Sequence, residues 1–424
     1  MDDAGAPYDA LPYRSSPLEW TAPERLALVS LLHGGPRVPL ASPRVLELGC
    51  GDGSNLLALA WWRPHAHFVG IDASATHVAL ARERAAALGL GNLHFEHADV
   101  RALPSTCTTR FDVIVAHGVL SWIPDDARDA LLSLHHGWST DEGLVYVDYN
   151  AQPGWSVRGL VRELLLAQTH GDGTLAQRTD DARSVAATLA ATLEGGEHPW
   201  SRLLAGELRL VAEGEPSYVA HEYLAPYNRS YWRSEFLALA AAHGLAIVAD
   251  ADFDRASGRD DARLDAWLTA EGLHGRAVVD TSDLLRYRQL HAPILARSSW
   301  ARREPTAAEL GELRMAACLR RDDEVETRFH HPRGEQVDVD EPAIAAALLR
   351  LAPQWPRGEP LRALFDDLDA VLDDLRLLHR FGVIELRLVE PEHWQRRDGG
   401  ALHRLEAELR GTVTDALHRA VRAP

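Results

Sequence analysis

The run Glu47-Leu48-Gly49-Cys50-Gly51-Asp52-Gly53 sets three glycines at alternate positions behind an acidic residue. Glycine enters the left-handed backbone region without steric cost, so such a run can turn sharply and admit a ligand close to the main chain. A helix following the turn aims its first N–H groups at the same spot. A dinucleotide turn of the form G-x-G-x-x-G needs glycine at position 54, where this chain has Ser54. Two further carboxylates follow in register. Asp72 lies 21 residues beyond Gly51, placed to accept both hydroxyls of a ribose. Asp99 can accept an exocyclic base amino group, with Val100 against the ring. Cys50, Asn55 and Ala73 border the same turns and complete the set expected to touch a nucleoside. One strand-end aspartate is ordinarily just a helix cap. Three carboxylates in register with a glycine turn favour a ligand.

A second group follows the later apolar runs: His117, Ser121, Trp122, Tyr149, Asn150 and Trp155. The unperturbed pKa of histidine lies near neutrality, which makes His117 the candidate general base. It is also expected to touch the cofactor, and the plainer alternative is a histidine that orders the cofactor loop or hydrogen-bonds the backbone. Tyr149 and Asn150 can orient an amine by hydrogen bonds, although Asn150 can also merely close a loop. Trp122 and Trp155 are expected to wall an alkyl chain, with simple packing as the plainer alternative. Tyr8 and Tyr13 can fold over the ligand as a lid, Tyr8 reaching the acceptor, or form a surface strap.

The ligand is narrowed by charge. With Glu47, Asp72 and Asp99 and no arginine among them, a phosphate would be repelled and a cationic nucleoside welcomed. S-adenosylmethionine has that chemistry; NAD does not. The adjacent pair His330-His331 points to opposite faces of a strand, so no metal site is expected.

These residues need a scaffold, and the surrounding pattern supplies one. Strands are predicted at 44–48, 67–71, 93–96, 111–116 and 143–149, with helices near 55–62, 75–88 and 126–136. Thr21 to Glu24 reads as a capping box opening an earlier helix. Strand–helix alternation at this spacing implies an α/β fold with a doubly wound, Rossmann-like parallel sheet. Helices predicted at 158–169, 181–193 and 201–211 form an insertion, after which a helix at 232–243 and strands at 244–249 and 290–297 complete the sheet. A final α+β unit of winged-helix-like order follows: a hairpin at 325–339, helices at 343–351 and 361–378, and a strand at 383–388. The division expected is a core at 1–155, an insertion and regulatory segment at 156–300, and a C-terminal domain at 301–424.

The net charge of -18 argues against a polyanion partner. All 44 basic residues are arginine, and no lysine occurs anywhere in the 424 residues. The helix near 361–378 carries Asp366, Asp367, Asp369, Asp373 and Asp374, which would repel DNA and leaves dimerisation or substrate docking as its expected role. Three scattered cysteines fit free thiols in a reducing compartment. No apolar run is of membrane-spanning length and the opening Met1-Asp2-Asp3 is unlike a signal peptide, so a soluble, cytoplasmic protein without membrane partners is expected.

Glu47-Leu48-Gly49-Cys50-Gly51, Gly70-Ile71-Asp72, Ala98-Asp99 and Phe111-Asp112-Val113-Ile114 resemble the successive motifs of class I S-adenosylmethionine-dependent methyltransferases. The segments Tyr8-Asp9, Pro12-Tyr13 and Ser16-Pro17, then 116–124 and Tyr149-Asn150 with Pro153-Gly154-Trp155, resemble bacterial methyltransferases carrying a methyltransferase regulatory domain. That domain would cover about residues 216–297, around His221-Glu222-Tyr223-Leu224 and Ala242-His243-Gly244-Leu245. The group is similar to rickettsial-type protein lysine methyltransferases. Asp52-Gly53-Ser54 departs from the family's usual small-glycine pair, and 170–215 matches nothing in it. The resemblance implies methylation of a protein or peptide side chain, on a nitrogen that lysine could supply, with S-adenosylhomocysteine as product. Methylation of a small molecule or natural-product peptide, and a non-catalytic cofactor-binding role, stay open on the residues alone.

Overall fold

The computed structural model describes residues 5–13, 15–169, 173–251, 276–332 and 334–390, positions 267 and 270, and the backbone pairs 413–414 and 420–421. Its first helices are α1 (Ala6–Ala10) and α2 (Pro23–Leu32). Proline opens α2, so Ala22 is its N-cap and the capping box expected from Thr21 is absent. Thr21 instead donates its hydroxyl to the Leu18 carbonyl, and Glu24 pairs with Arg63 at 2.8 Å.

The Rossmann-like alternation then runs β1 (Arg44–Leu48), α3 (Ser54–Trp62), β2 (His67–Asp72), α4 (Ala75–Ala87), β3 (Leu93–His97), β4 (Phe111–Ala116), α5 (Asp125–Ser133), α6 (His135–Trp138) and β5 (Ser139–Val147). A two-residue strand β6 (Tyr149–Asn150) leads into the inserted helices α7 (Gly154–Gln168), α8 (Leu175–Leu193), α9 (Pro199–Glu213) and α10 (Pro216–Tyr223). The chain returns to the sheet through α11 (Arg233–Ala242), β7 (Leu245–Asp250), α12 (Arg276–Arg286), β8 (Leu290–His291) and β9 (Pro293–Arg297). The seven-stranded sheet has the order β3-β2-β1-β4-β5-β9-β7. Strands β1 to β5 are parallel, and β9 runs antiparallel to both β5 and β7. The order reverses between β1 and β4, where an open α/β sheet offers a crevice at its carboxyl end.

Helices cover both faces, so β4 is buried at every position, as a strand central to a parallel sheet must be. Alternate residues feed two cores: Val45, Phe68, Val113, Val115 and Tyr146 on one face, Leu46, Ile114, Val145, Tyr149 and Phe236 on the other. The insertion closes a core of its own around Val161, Leu165, Ala186, Leu208, Val211 and Tyr223. Its helix α8 starts earlier than predicted because Thr174 and Gln177 form a complete capping box.

The last unit comprises α13 (Ala307–Glu312), β10 (Arg314–Ala316), β11 (Arg320–Arg321), β12 (Arg328–His330), β13 (Gln336–Asp338), α14 (Pro342–Leu351), β14 (Glu359–Pro360), α15 (Leu361–Leu364), α16 (Leu372–Arg380) and β15 (Glu385–Arg387). The predicted hairpin forms, but it pairs with β11, while a separate small sheet has the order β14-β10-β15. The single helix predicted at 361–378 is two. Phe365 is buried in an extended conformation between them, and the Asp367 carboxylate accepts the Ala370 N–H in a local turn that competes with helix. Leu28 and Leu31 of α2 complete this unit's core. Among the described residues no helix is long and apolar enough to cross a membrane.

Candidate active site

The turn after β1 is left-handed at Gly49, Gly51 and Gly53, with φ of 70°, 54° and 77°. Packing adds a second reason for glycine at 53: a Cβ there would lie 2.6 Å from Phe95 Cζ and 2.9 Å from Ala81 Cβ. At Gly51 a Cβ would meet nothing nearer than Ser15 Oγ at 3.6 Å, so that side of the turn is open. Asp52 accounts for the departure from the usual motif. Its carboxylate accepts the Ser54 N–H at 3.2 Å and the Ser54 hydroxyl at 2.7 Å, and pairs with buried Arg84 at 3.1 Å. The N-terminus of α3 therefore carries its own carboxylate, which disfavours a phosphate there.

Asp72 joins the first turn to the second: it accepts the Gly51 N–H and the Ser74 N–H, each at 2.8 Å. Ala73 follows it, its carbonyl accepting from the His97 ring at 3.0 Å. Asp99 corrects an expectation. Arg101 folds back onto it, Nη2 to Oδ2 at 2.6 Å, and also reaches Asp126. An arginine therefore does stand among the carboxylates, and its hydrogen bonds hold Asp99 below the usual carboxylate range. Val100 is half-buried beside it.

Glu47 is the most unusual member. It is 3% exposed, and Oε1 accepts the Asn55 amide at 3.1 Å. Its other oxygen is buried with no hydrogen-bond partner among the described residues. Burial pushes this carboxyl up to about 8, partly opposed by the His117 charge and the Asn55 hydrogen bond. Burial likewise raises the Cys50 thiol well above its ordinary value, which leaves it unreactive.

His117 has a partner that the sequence reading missed. Residues Ala116 and Val147 face each other across β4 and β5. The next residue on each strand, His117 and Asp148, therefore emerge side by side, with His117 Nδ1 donating to Asp148. Asp148 also accepts the Gly118 N–H at 2.6 Å and the Tyr146 hydroxyl at 3.0 Å, and the Trp20 indole donates to Tyr146 at 2.7 Å. Burial works to lower the His117 pKa, but the charge and hydrogen bond of Asp148, with the Glu47 charge, raise it overall. The Asp148 side chain is 2% exposed and that of His117 36%, so one anchors and the other faces outward. The available signal was positional: an aspartate one residue beyond an apolar strand, in line with a histidine one residue beyond its neighbour.

Tyr149 is not in the acceptor group, contrary to expectation. It is 1% exposed, its ring stacks on Phe236 at 4.1 Å, and it belongs to the core beneath the sheet. Alternation along β6 sends Asn150 the other way. Asn150 is 6% exposed, donates its main-chain N–H to Ser121 Oγ at 2.9 Å, and has a buried Nδ2 without partner among the described residues. Trp122 and Trp155 do meet, edge to face at 5.5 Å, with Arg158 over Trp155. Trp155 is buried, and Trp122 is half-buried.

The segment 5–13 is a strap rather than a loose end. Asp9 accepts the Ser74 hydroxyl at 2.5 Å and the Thr76 N–H at 3.0 Å, Tyr8 stacks on His221 at 4.4 Å, and Tyr13 meets the same ring edge-on. His221 donates to the Leu11 carbonyl at 2.6 Å. Tyr8 is thus placed beside His77 and His221, next to the ribose-binding candidate Asp72, rather than with the tryptophans. Among the described residues no cluster of side chains suits a metal ion.

Residues 41–148 match the model of a methyltransferase domain family. The uncharacterized protein RP789 of Rickettsia prowazekii is 32% identical over 244 residues, an alignment covering 58% of this chain and 44% of that protein. A second uncharacterized protein of the same organism, RP028, is 27% identical over 230 residues, 54% of this chain and 92% of its own. This chain thus spans less than half of the longer relative. Among solved structures, PKMT2 from Rickettsia typhi superposes with a TM-score of 0.79 at 20% identity, covering 97% of this chain and 86% of that one. The same protein has been solved in complex with AdoHcy. Strands β1 to β5, with the glycine turn, Asp72, Asp99 and His117, lie within the residues that match the methyltransferase domain model, and the chain shares the fold of PKMT2 over 97% of its length.

Proposed function

We propose that this chain transfers the methyl group of S-adenosylmethionine to a side-chain nitrogen of a protein or peptide. The observation that carries the cofactor is Glu47: a buried carboxyl oxygen without a partner, at the base of a turn whose middle glycine is open. Leaving such a group unpaired is costly, and a ligand ammonium would satisfy it. Asp72 and Asp99 would receive ribose hydroxyls and the base amino group, and the 5–13 strap would cover them. When bound, the sulfonium supplies an electrophilic methyl carbon, so the chain's task is to align the acceptor, exclude water and take a proton. His117 is the group for that proton. Asp148 fixes its tautomer and raises its pKa above the ordinary histidine value, so the neutral, accepting form grows as the pH rises. A polypeptide acceptor accords with the shared fold of PKMT2 and with accessory helices larger than a small acceptor needs.

Two measurements test this. Calorimetric titration with S-adenosylhomocysteine should show binding, weakened by Asp72→Ala about tenfold or more, the worth of one lost charge-assisted hydrogen bond. Absence of binding refutes the cofactor assignment. Methyl-labelled cofactor and a bacterial lysate should then give labelled polypeptide. Because the chain has no lysine, any methyl-lysine recovered belongs to the acceptor. Label confined to small metabolites refutes the polypeptide reading.

A further inference from the structure

The candidate nucleoside site lies at the carboxyl ends of the parallel strands, and the opposite edge of the sheet carries a different chemistry. Arg44 opens β1, Arg110 immediately precedes β4, Ser139 opens β5, and Arg297 closes β9, which runs antiparallel to β5. Topology therefore brings three arginines to the amino edge of the parallel strands. There they line an open cavity of about 590 Å³, with His136, Thr140 and Asp141 in its wall. An irregularity in the sheet shapes it. Phe111 pairs with Ser139 but Val113 pairs with Leu144, so residues 140–143 bulge out of the ladder, and Thr140 and Asp141 in that bulge reach the cavity.

Two of the arginines are held close together. Arg110 Nη1 donates to the carbonyls of His136 and Ser139, at 3.1 and 3.5 Å. Arg297 Nη2 donates to the same two carbonyls, at 3.2 and 3.1 Å, and to that of His135 at 3.1 Å. The two guanidinium groups therefore converge on one pair of oxygens. A carbonyl orients a guanidinium but carries no net charge, so the repulsion between the two cations stays uncompensated. The third, Arg44, has Nε 3.8 Å from Asp112, too far for a hydrogen bond, and its side chain is 42% exposed. Among the described residues the carboxylate that lines the cavity is Asp141, which is exposed; Glu142, next in the bulge, does not line it. Three positive charges thus meet Asp141 and the more distant Asp112, in a chain whose overall charge is -18. The excess of cation is local, set by which strand ends the topology gathers.

We propose that this cavity binds a small phosphate-bearing anion with at least two negative charges. A guanidinium presents paired N–H donors that match two phosphate oxygens, and Arg110 and Arg297 each keep nitrogens beyond the one given to the carbonyls. Nε of Arg297 is buried without a partner among the described residues. A dianion lying against this pair relieves the repulsion that the shared carbonyls impose, which a monoanion does only in part. The concave wall suits a small solute, whereas an extended polyanion would meet the acidic remainder of the surface. The site is distinct from the one proposed for methyl transfer: β4 runs from Arg110 to His117, a span of about 20 Å at the rise of an extended strand.

Calorimetric titration of the full chain with sodium pyrophosphate tests the site, with sodium acetate as the monoanionic control and ionic strength fixed at about 0.1 M. Pyrophosphate should bind with a Kd below about 1 mM, and acetate at least about tenfold more weakly. Arg110→Gln should weaken pyrophosphate binding about tenfold or more. Asp141→Asn removes the competing carboxylate and should tighten it about threefold. That second variant is an exposed, shape-keeping change, so it decides the matter even where Arg110→Gln fails to fold. No binding of pyrophosphate, equal affinity for acetate, or an affinity unchanged in the folded variants overturns the proposal. Co-sedimentation with phosphatidylglycerol vesicles that Arg110→Gln abolishes would also overturn it, in favour of a membrane surface. S-adenosylhomocysteine should bind the pyrophosphate-saturated protein as it binds the free one. Competition between the two would place the anion at the nucleoside site and refute this one, whereas pyrophosphate binding without any nucleoside binding refutes only the methyltransferase reading.

Discussion

Replacing Asp148 by asparagine tests the pair at the heart of the site. Asparagine keeps the shape and can still accept the Gly118 N–H, but it removes the charge facing His117 Nδ1. A hydrogen bond to a charged partner is worth about 1.5–3 kcal/mol and a neutral one about 1 kcal/mol. The low end of the difference applies, because 36% of the imidazole is exposed and water screens the charge. A loss of about 0.5 kcal/mol corresponds to a fall of about 0.4 in the His117 pKa. The assay is an NMR titration of the ring Cε1–H, its resonance identified by its disappearance in His117→Gln. Stability should follow with a definite sign. His117 has a folded-state pKa above its unfolded value of about 6.5, so its contribution is full below that pH and is lost as pH rises through the folded value. Asp148→Asn should therefore cost more stability at pH 6 than at pH 9. An unchanged His117 midpoint, or a wild-type midpoint below the ordinary histidine value, would refute the pairing.

Other substitutions probe the scaffold. Gly53→Ala combines a left-handed backbone penalty of about 1–2 kcal/mol with overpacking of about 1–3 kcal/mol against Phe95 and Ala81, and its urea midpoint should fall accordingly; an unmoved midpoint would mean the turn can relax. Phe236→Ala opens a cavity under Tyr149 and should cost about 3–5 kcal/mol with nucleoside affinity intact. Lost affinity at full stability would return Tyr149 to the site. Glu47→Gln should stabilise the ligand-free protein increasingly from about pH 5 to pH 8, where the unfolded carboxyl is ionised and the buried one still holds its proton. The same variant should bind S-adenosylhomocysteine more weakly, and melting curves at the two pH values with calorimetry check both halves.

The sequence by itself determined the sheet from β1 to β5 and the turn with its carboxylates, because each is a local matter. Period-two apolar runs, glycines at alternate positions and an aspartate at a strand end are written in neighbouring residues. Local signals also went astray where a competing local bond intervened, as at Pro23 and Asp367. Tertiary structure decided the rest, for reasons of register and folding-back. The His117–Asp148 pair exists because β4 and β5 align Ala116 with Val147, a relation between strands that spacing along one strand cannot express. Tyr149 went to the core and Asn150 away from it because β6 pairs with β8, fixing which face each residue takes. Arg101 reached Asp99 through a local turn whose long side chain had several other places to go. The turn at Gly49–Gly53 was legible from the chain alone, whereas the strap depends on His221 of α10 holding an N-terminal segment some 210 residues away.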